Sequence, residues 1–167
     1  MGEINKSGSG GASATTVERK SDRELMVKRS FNAPARLVFQ AWTQSELFMR
    51  WWVPKSTGMT LLSCKLDVRV GGGYRLEFAH PASNKPFAFF GKYLEVIPNA
   101  RIVWTNVESE QGAITTVTFE EKAGKTLLTL TETYPTKEAL DQSYEGMEGG
   151  MPEQLDQLDE LLASLFA

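Results

Sequence analysis

The chain has 167 residues, of which 41% are hydrophobic and 23% charged, and its formal net charge is −3. This composition is typical of one soluble domain with a full hydrophobic core. Lys and Arg do not cluster into a stripe that could follow a phosphate backbone, which argues against a nucleic-acid partner.

Cysteine use and the N-terminal sequence bear on the compartment. Cys64 is the only cysteine, so an internal disulfide cannot form, and a lone cysteine fits a reducing environment. The N-terminus lacks the apolar core of a signal peptide, and no segment approaches the ~20 apolar residues of a membrane span. We therefore expect a cytoplasmic protein that does not cross a membrane.

The first 22 residues differ in composition from the rest. They are rich in Gly, Ser, Ala and Thr and almost lack large apolar side chains. Such a segment cannot bury enough surface to offset the entropy lost on ordering. We therefore expect a disordered tail over residues 1–22 and a single domain over residues 23–167.

A strand and two short helices are predicted next. Glu24–Phe31 has the composition of a strand. Asn32 is placed to cap a helix that holds Pro34 in its first turn. Thr43 and Glu46 then have the spacing of a capping box, which predicts a second short helix. Three tryptophans, Trp42, Trp51 and Trp52, fall in this part of the chain.

From residue 59 to residue 134 the pattern predicts strands separated by turns. Short connections between successive strands require antiparallel pairing. The strand that contains Phe87–Phe90 is aromatic on both faces, so the pattern does not assign its inward side. With the first strand, this gives about six to seven strands; the later ones are Met59–Val68, Tyr74–Ala79, Pro86–Ile97, Arg101–Val107, Ala113–Glu121 and Thr126–Tyr134.

The C-terminal segment has the clearest period. Apolar residues recur every three or four positions from Leu140 to Leu165, which is typical of one helical face. Glycines and Pro152 interrupt this pattern, and a proline inside a helix costs ~3 kcal/mol. We therefore predict a short helix, a break near Gly149–Met151, and a strong helix from about Pro152 to Leu165.

Catalytic and metal-binding signatures are weak. The glycines at Gly71–Gly73 precede a strand rather than a helix, which favours a hairpin turn over a phosphate loop. The neighbouring Asp67 and Arg69 favour a structural ion pair. His80 is the only histidine, and neither a His/Cys cluster nor a nucleophile with its base is evident. We predict no catalytic residue, no metal and no cofactor.

Five segments stand out in order along the chain: NAPARLVFQAWTQSELFMRWW, DVRVGGGYRLEF, GKYLEVIPNARIVWT, TTVTFEE and EGMEGGMPEQLDQLDELL. Together they resemble the AHSA-type branch of the START-like SRPBCC superfamily, named after the activator of the heat-shock chaperone ATPase. The resemblance spans about Leu25 to Leu165. It implies an α+β helix-grip fold of the Bet v 1-like kind, in which a curved antiparallel sheet and a long C-terminal helix enclose a cavity.

In this fold we expect large side chains to line the cavity. A packed core is the simpler interpretation for any one of them alone. Arg29, Glu132 and Gln154 are polar candidates, because each shares a stripe with apolar neighbours. The candidate ligand-binding residues are Trp51, Trp52, Tyr74, Leu76, Phe78, Phe89, Tyr93, Trp104, Phe119, Met147, Met151, Gln154 and Leu155.

Three functions are compatible with this sequence. The first is binding of a small hydrophobic molecule such as a lipid, a sterol or a polyketide-like aromatic, by a monomer or weak homodimer. The second is a cofactor-free enzyme of the polyketide cyclase type. The third is an interaction module of the chaperone-activator kind. The missing nucleophile and base favour the first function over the second, and a chaperone partner does not follow from the resemblance alone.

Overall fold

The structure is a computed structural model that describes residues 15–106 and 112–166. It contains eight strands and three α-helices, and a 3₁₀ turn at Lys55–Thr57. The elements are β1 (Thr16–Arg19), β2 (Glu24–Phe31), α1 (Ala35–Thr43), α2 (Ser45–Phe48), β3 (Thr60–Leu66), β4 (Gly73–Ala79), β5 (Phe87–Ile97), β6 (Arg101–Thr105), β7 (Ile114–Lys122), β8 (Lys125–Thr133) and α3 (Lys137–Phe166).

All eight strands form one antiparallel sheet in the order β1-β2-β8-β7-β6-β5-β4-β3. The register shifts between Leu61 and Ser63 and between Tyr93 and Glu95, and such bulges bend a strand and increase its twist. The helices α1 and α3 share one buried cluster with side chains from one face of the sheet. This arrangement confirms the predicted α+β helix-grip fold.

Strand β1 corrects the prediction of a disordered tail through residue 22. Thr16–Arg19 pairs with β2 in antiparallel register, and Val17 packs on the core. The Arg19 guanidinium also contacts the Asp141 carboxylate of α3 at 2.5 Å. Backbone pairing on the edge of a sheet does not require an apolar side-chain pattern, so composition alone missed this strand. Residues 1–14 lie outside the described residues.

Both short helices are present, but their caps differ from the predicted ones. Pro34, not Asn32, occupies the N-cap position of α1 and makes no side-chain capping bond. Glu121 of β7 supplies the capping group, because its Oε1 accepts a 2.8 Å hydrogen bond from the Ala35 N–H. The Thr43 hydroxyl donates backwards to the Phe39 carbonyl at 2.9 Å, so it does not form the predicted capping box.

The C-terminal helix is continuous, so the predicted break near Gly149–Met151 is wrong. Helix α3 runs from Lys137 to Phe166 with Pro152 inside it. Its second half buries leucines at Leu155 and Leu158, which are both 0% exposed. Each such burial contributes about 1.5–3 kcal/mol, so together they offset the ~3 kcal/mol cost of an interior proline.

Side-chain bonds also fasten the second half of α3 to the segment after α2. The Gln157 amide donates to the carbonyls of Trp51 and Val53, at 2.8 Å each. Its Oε1 accepts from the Lys55 N–H at 2.9 Å. In the first half of α3, by contrast, the residues between positions 141 and 150 are exposed or half-buried. Helix α3 therefore packs tightly at its C-terminal end and loosely near its start.

Residues 15–106 and 112–166 contain the three α-helices α1, α2 and α3. None of them is long and apolar enough to cross a bilayer.

Candidate functional site

The loosely packed half of α3 covers a cavity of about 570 Å³. The opposite wall is formed by side chains of β3, β4, β5, β6 and β8 together with Asn106, Gly112 and Ala113, and the segment from Trp52 to Pro54 closes one side. Helix α3 faces the cavity with side chains that are small or flexible, among them Ser143, Gly146 and Met147. Small groups at these positions leave open space that bulkier side chains would fill.

Ten of the thirteen predicted residues lie in the wall of this cavity. Phe89 and Tyr93 are among them, which identifies the inward face of β5 that the sequence pattern left open. The ten residues are Trp52, Tyr74, Leu76, Phe78, Phe89, Tyr93, Trp104, Met147, Met151 and Gln154.

The other three predicted residues, Trp51, Phe119 and Leu155, are in the packed core and do not line the cavity. The Trp51 indole N–H donates to the Ala41 carbonyl at 2.9 Å, and the side chain is fully buried. Phe119 packs edge-on against Phe39 with ring centroids 5.6 Å apart. Helical and strand periodicity identify buried residues but do not distinguish a core side chain from a wall side chain.

Trp42 lines the cavity, although it was not among the candidate ligand-binding residues. Its ring contacts Trp51 at 4.8 Å and both Trp52 and Trp104 at 5.8 Å between centroids. Trp42 is only 3% exposed, and its indole Nε1 has no hydrogen-bond partner among the described residues. A buried donor without a partner costs about 1–3 kcal/mol, so this N–H would be stabilised by any acceptor bound beside it.

A network of polar side chains forms one part of the cavity wall. The Tyr74 hydroxyl lies 3.2 Å from Oδ1 of Asn106, and the Asn106 amide donates to the Thr115 hydroxyl at 3.1 Å. Thr115 in turn donates to Oε2 of Glu132 at 3.0 Å. The Tyr134 hydroxyl donates to the other carboxylate oxygen, Oε1. The carboxylate therefore receives a hydroxyl donor on each oxygen.

Sheet register explains why these residues meet. Trp104 pairs with Thr115, and Thr115 pairs with Glu132, so the three form a row across β6, β7 and β8. The row continues to Tyr93 on β5. Directly paired residues point to the same face of a sheet, and Tyr134 follows Glu132 by two positions and returns to that face.

Tyr93 and Tyr134 in this wall keep their protons at neutral pH. Burial raises the pKa of Tyr134 well above its ordinary value, the negative charge of Glu132 and the hydrogen bond to it raise it further, and Ser143 opposes the rise. Burial likewise raises the pKa of Tyr93, and negative charge at Cys64 and Asp67 adds to the effect. Neither phenol is therefore a general base at neutral pH, and Tyr134 acts as a hydrogen-bond donor.

The three polar candidates from the sequence have different positions. Glu132 and Gln154 line the cavity, and the Gln154 amide donates to the Trp52 carbonyl. Arg29 does not reach the cavity. Its guanidinium instead forms ion pairs with Asp156 at 2.6 Å and Asp159 at 3.5 Å, so its role is structural.

Other sequence motifs have structural roles. Arg69 and Asp67 form the predicted ion pair, with Nε and Oδ1 2.9 Å apart. His80 accepts a 3.0 Å hydrogen bond from the Ala82 N–H within its loop. Over residues 15–106 and 112–166, no group of three or more His, Cys, Asp or Glu side chains could hold a metal ion.

Several polar residues of the wall are absent from the set of residues predicted to bind a ligand. The sequence pattern places Asn106 and Tyr134 only near the ends of predicted strands, and Gln142 and Ser143 lie between the apolar positions of α3. The alternation of side chains along the strand was the one sequence signal for these residues, because it places Glu132 and Tyr134 on the same face of the sheet.

Comparison with solved structures shows the same fold in several bacterial proteins. A protein from Rhodobacter sphaeroides has a TM-score of 0.82 at 23% identity, over 90% of this chain and 99% of its own. One from Nitrosomonas europaea has a TM-score of 0.78 at 25% identity, over 87% and 97%. One from Staphylococcus epidermidis has a TM-score of 0.74 at 31% identity, over 89% and 94%.

No curated protein matches the chain. The family model described as activator of Hsp90 ATPase homolog 1-like protein matches residues 32–163. This range includes the helical entry, the sheet from β3 to β8 and most of α3. The chain therefore belongs to the family of activator of Hsp90 ATPase homolog 1-like proteins.

Proposed function

We propose that the protein binds a small hydrophobic molecule in the cavity between α3 and the sheet. The observation that carries this proposal is the cavity itself, whose volume of about 570 Å³ is that of a pocket for a small organic ligand. Its wall is mainly aromatic and aliphatic, with a few convergent polar groups at Asn106, Glu132 and Tyr134. An apolar wall supplies affinity, and a few fixed polar groups supply orientation.

The unpaired indole N–H of Trp42 supports the proposal that a molecule binds in the cavity. An indole N–H that is buried without a partner is destabilising, and a ligand acceptor or a bound water would satisfy it. Trp42 is part of the cavity wall, so a molecule in the cavity is close enough to be such a partner.

The loose half of α3 supports entry and exit. Gly146, Gly149 and Gly150 have open space where a side chain would begin, and Gly146 is in the cavity wall. A helix segment with few buried contacts opens at lower free-energy cost than one packed like the Leu155 region. Ligand exchange there does not require the core to unfold.

The test is a thermal-shift screen of apolar and aromatic compounds on the full chain, with mass spectrometry of molecules extracted from the purified protein. A ligand that binds only the folded state raises the melting temperature by mass action. Gly146→Leu fills the cavity and should abolish the shift.

Gly149→Leu is the matched control, because it makes the same change on the same helix at an exposed position outside the cavity wall. It should leave the shift intact. If no compound raises the melting temperature, or if both variants lose the shift equally, the proposal fails.

A further inference from the structure

One residue of the cavity wall has a buried donor that the protein does not satisfy. Over residues 15–106 and 112–166, the buried side-chain N and O atoms without a hydrogen-bond partner are Nε of Arg29 and Nε1 of Trp42. Arg29 lies outside the cavity wall, and its guanidinium is paired with Asp156 and Asp159. Among the described wall residues, Trp42 alone therefore has a buried donor without a partner.

Aromatic rings surround this donor. Trp52 and Trp104, both half-buried wall residues, have ring centroids 5.8 Å from that of Trp42. Phe48, also in the wall, stacks on Trp52 with ring centroids 4.7 Å apart. These four residues form the aromatic end of the cavity. Their rings favour a flat aromatic body, because offset and edge-on contacts between rings are stabilising.

The chemistry of the donor restricts the group that can pair with it. An indole N–H donates and does not accept, so its partner must be an acceptor. One hydrogen bond compensates the desolvation of a neutral acceptor such as a carbonyl oxygen. A carboxylate taken out of water needs several partners or a counter-charge. A neutral carbonyl oxygen is therefore the group that one buried indole N–H suits best.

Access to the donor requires a neighbouring ring to move, because Nε1 of Trp42 exposes almost no surface. Trp52 and Trp104 are only half-buried, so moving either ring loses fewer contacts than moving the fully buried Trp51. A flat ligand that inserts between these half-buried rings brings a polar group on its edge beside the N–H.

We propose that the ligand is a neutral aromatic carbonyl compound. Its flat ring system lies against Phe48, Trp52 and Trp104, and its carbonyl oxygen accepts a hydrogen bond from the Trp42 indole N–H. This inference rests on the proposed binding function and specifies its ligand class. It distinguishes aromatic carbonyl compounds from aromatic hydrocarbons, which fill the same space without an acceptor.

The experiment compares 2-acetylnaphthalene with 2-isopropenylnaphthalene, which has the same planar skeleton but a CH₂ group in place of the carbonyl oxygen. The full chain is titrated with each compound at pH 7. The methyl NMR signals of Met147 and Met151 in the cavity wall give both dissociation constants. The ketone should bind about three- to tenfold more tightly, as expected for one neutral hydrogen bond.

The indole N–H signals show which tryptophan forms the bond. The chain has four tryptophans, so its ¹⁵N–¹H spectrum has four indole signals, which single Trp→Phe variants assign, the last by elimination. With the ketone bound, the Trp42 proton should lie downfield of its position with the hydrocarbon bound. A downfield difference at Trp52 or Trp104 in place of Trp42 would overturn the inference.

Trp42→Phe should remove most of the preference for the ketone, because phenylalanine keeps an aromatic ring and loses the donor. Trp104→Phe is the matched control, since it makes the same change to another ring of the aromatic end. It should keep the preference. The order of affinities and the indole signals of the unmodified chain test the inference even if the Trp42 variant does not fold.

The outcomes separate this inference from the proposed function. If the hydrocarbon binds as tightly as the ketone, if Trp42→Phe keeps the preference, or if only other apolar compounds bind, the carbonyl inference is overturned while hydrophobic binding stands. If neither compound binds and the apolar screen is also silent, the binding function itself is lost.

Discussion

Arg29 of β2 and Asp156 of α3 form an ion pair in which the two partners differ sharply in exposure. The distance between Nη1 and Oδ1 is 2.6 Å, and the side chains are 3% and 67% exposed, respectively. Asp159 contacts the same guanidinium at 3.5 Å. The contact fixes α3 to the sheet one turn beyond Pro152. It therefore holds the tight half of the helix and leaves the half over the cavity free to pack loosely.

The exposure difference predicts a non-additive mutational effect. Asp156→Asn alone should cost no more than about 1 kcal/mol of unfolding free energy, because Asp156 is largely exposed and Asp159 remains. Replacing both aspartates by asparagine should cost about 3 kcal/mol, because a buried guanidinium then loses its counter-charge. Urea unfolding of Asp156→Asn, Asp159→Asn and the double variant measures the coupling between the two aspartates. Purely additive losses would show that Arg29 does not depend on this pair.

The tryptophans should respond to truncation according to their packing. Trp51→Ala should cost about 3–5 kcal/mol, because this ring is fully buried and its N–H bond to Ala41 is lost. Trp42→Ala should cost about the same, since the ring is the centre of the aromatic cluster. Trp52→Ala should cost less, because Trp52 is half-buried and faces the cavity. Chemical denaturation measures all three, and an equal loss at Trp52 would contradict the assignment of that ring to the cavity wall.

The local pattern of apolar residues predicted the strands and helices better than it predicted the contacts at their ends. The strands from Glu24–Phe31 onwards and the burial of Leu155 and Leu158 followed from spacing alone, because apolar periodicity reports which face is covered. The cap of α1 could not be predicted in this way. Its acceptor, Glu121, is far away in sequence and reaches Ala35 only after β7 has paired.

The same limit applies to the cavity. The polar wall depends on the pairing of Thr115 with Glu132 and of Thr115 with Trp104, which is a property of sheet register rather than of any one strand. The continuity of α3 through Pro152 likewise depends on tertiary burial that outweighs an unfavourable local residue. The sequence therefore indicated a fold that encloses a cavity, but it did not determine which polar groups line that cavity.

Truncation at the N-terminus should distinguish β1 from the residues before it. Deleting residues 1–22 removes the pairing of Thr16–Arg19 with β2 and the Arg19–Asp141 contact, so we expect the melting temperature to fall by several degrees, for a loss of about 1–2 kcal/mol. Deleting residues 1–14 keeps both contacts and serves as the control. Differential scanning calorimetry gives both values, and identical melting temperatures would show that β1 adds no stability.

Alkaline pH should destabilise the protein through its buried phenols. The pKa of Tyr134 and that of Tyr93 are raised in the folded state, chiefly by burial. Above pH ~10 an unfolded tyrosine loses its proton while the folded one keeps it, so the unfolded state binds fewer protons and stability falls as pH rises. Tyr134→Phe should make the fall above pH 10 shallower. Urea unfolding at pH 8 to 11 measures this, and an unchanged slope would show that Tyr134 ionises as readily in the folded protein as in the unfolded one.

Gly91 joins the stability of the sheet to the cavity wall. A Cβ at this position would lie 1.8 Å from the Thr105 carbonyl oxygen and 2.8 Å from the Tyr74 hydroxyl, so Gly91→Ala must push β5 away from β6 and also displace the phenol. We expect a loss of roughly 3 kcal/mol in unfolding free energy, from overpacking against backbone. Gly149→Ala is the control, because open space surrounds it in a helix, where alanine should stabilise by up to about 1 kcal/mol.

Tyr74 donates to the Thr105 carbonyl at 2.9 Å, so the Gly91 variant should also bind cavity ligands more weakly at temperatures where it remains folded. Calorimetric unfolding and ligand titration of the same two variants separate the effects: normal ligand affinity in a destabilised Gly91→Ala protein would show that Tyr74 does not shape the site.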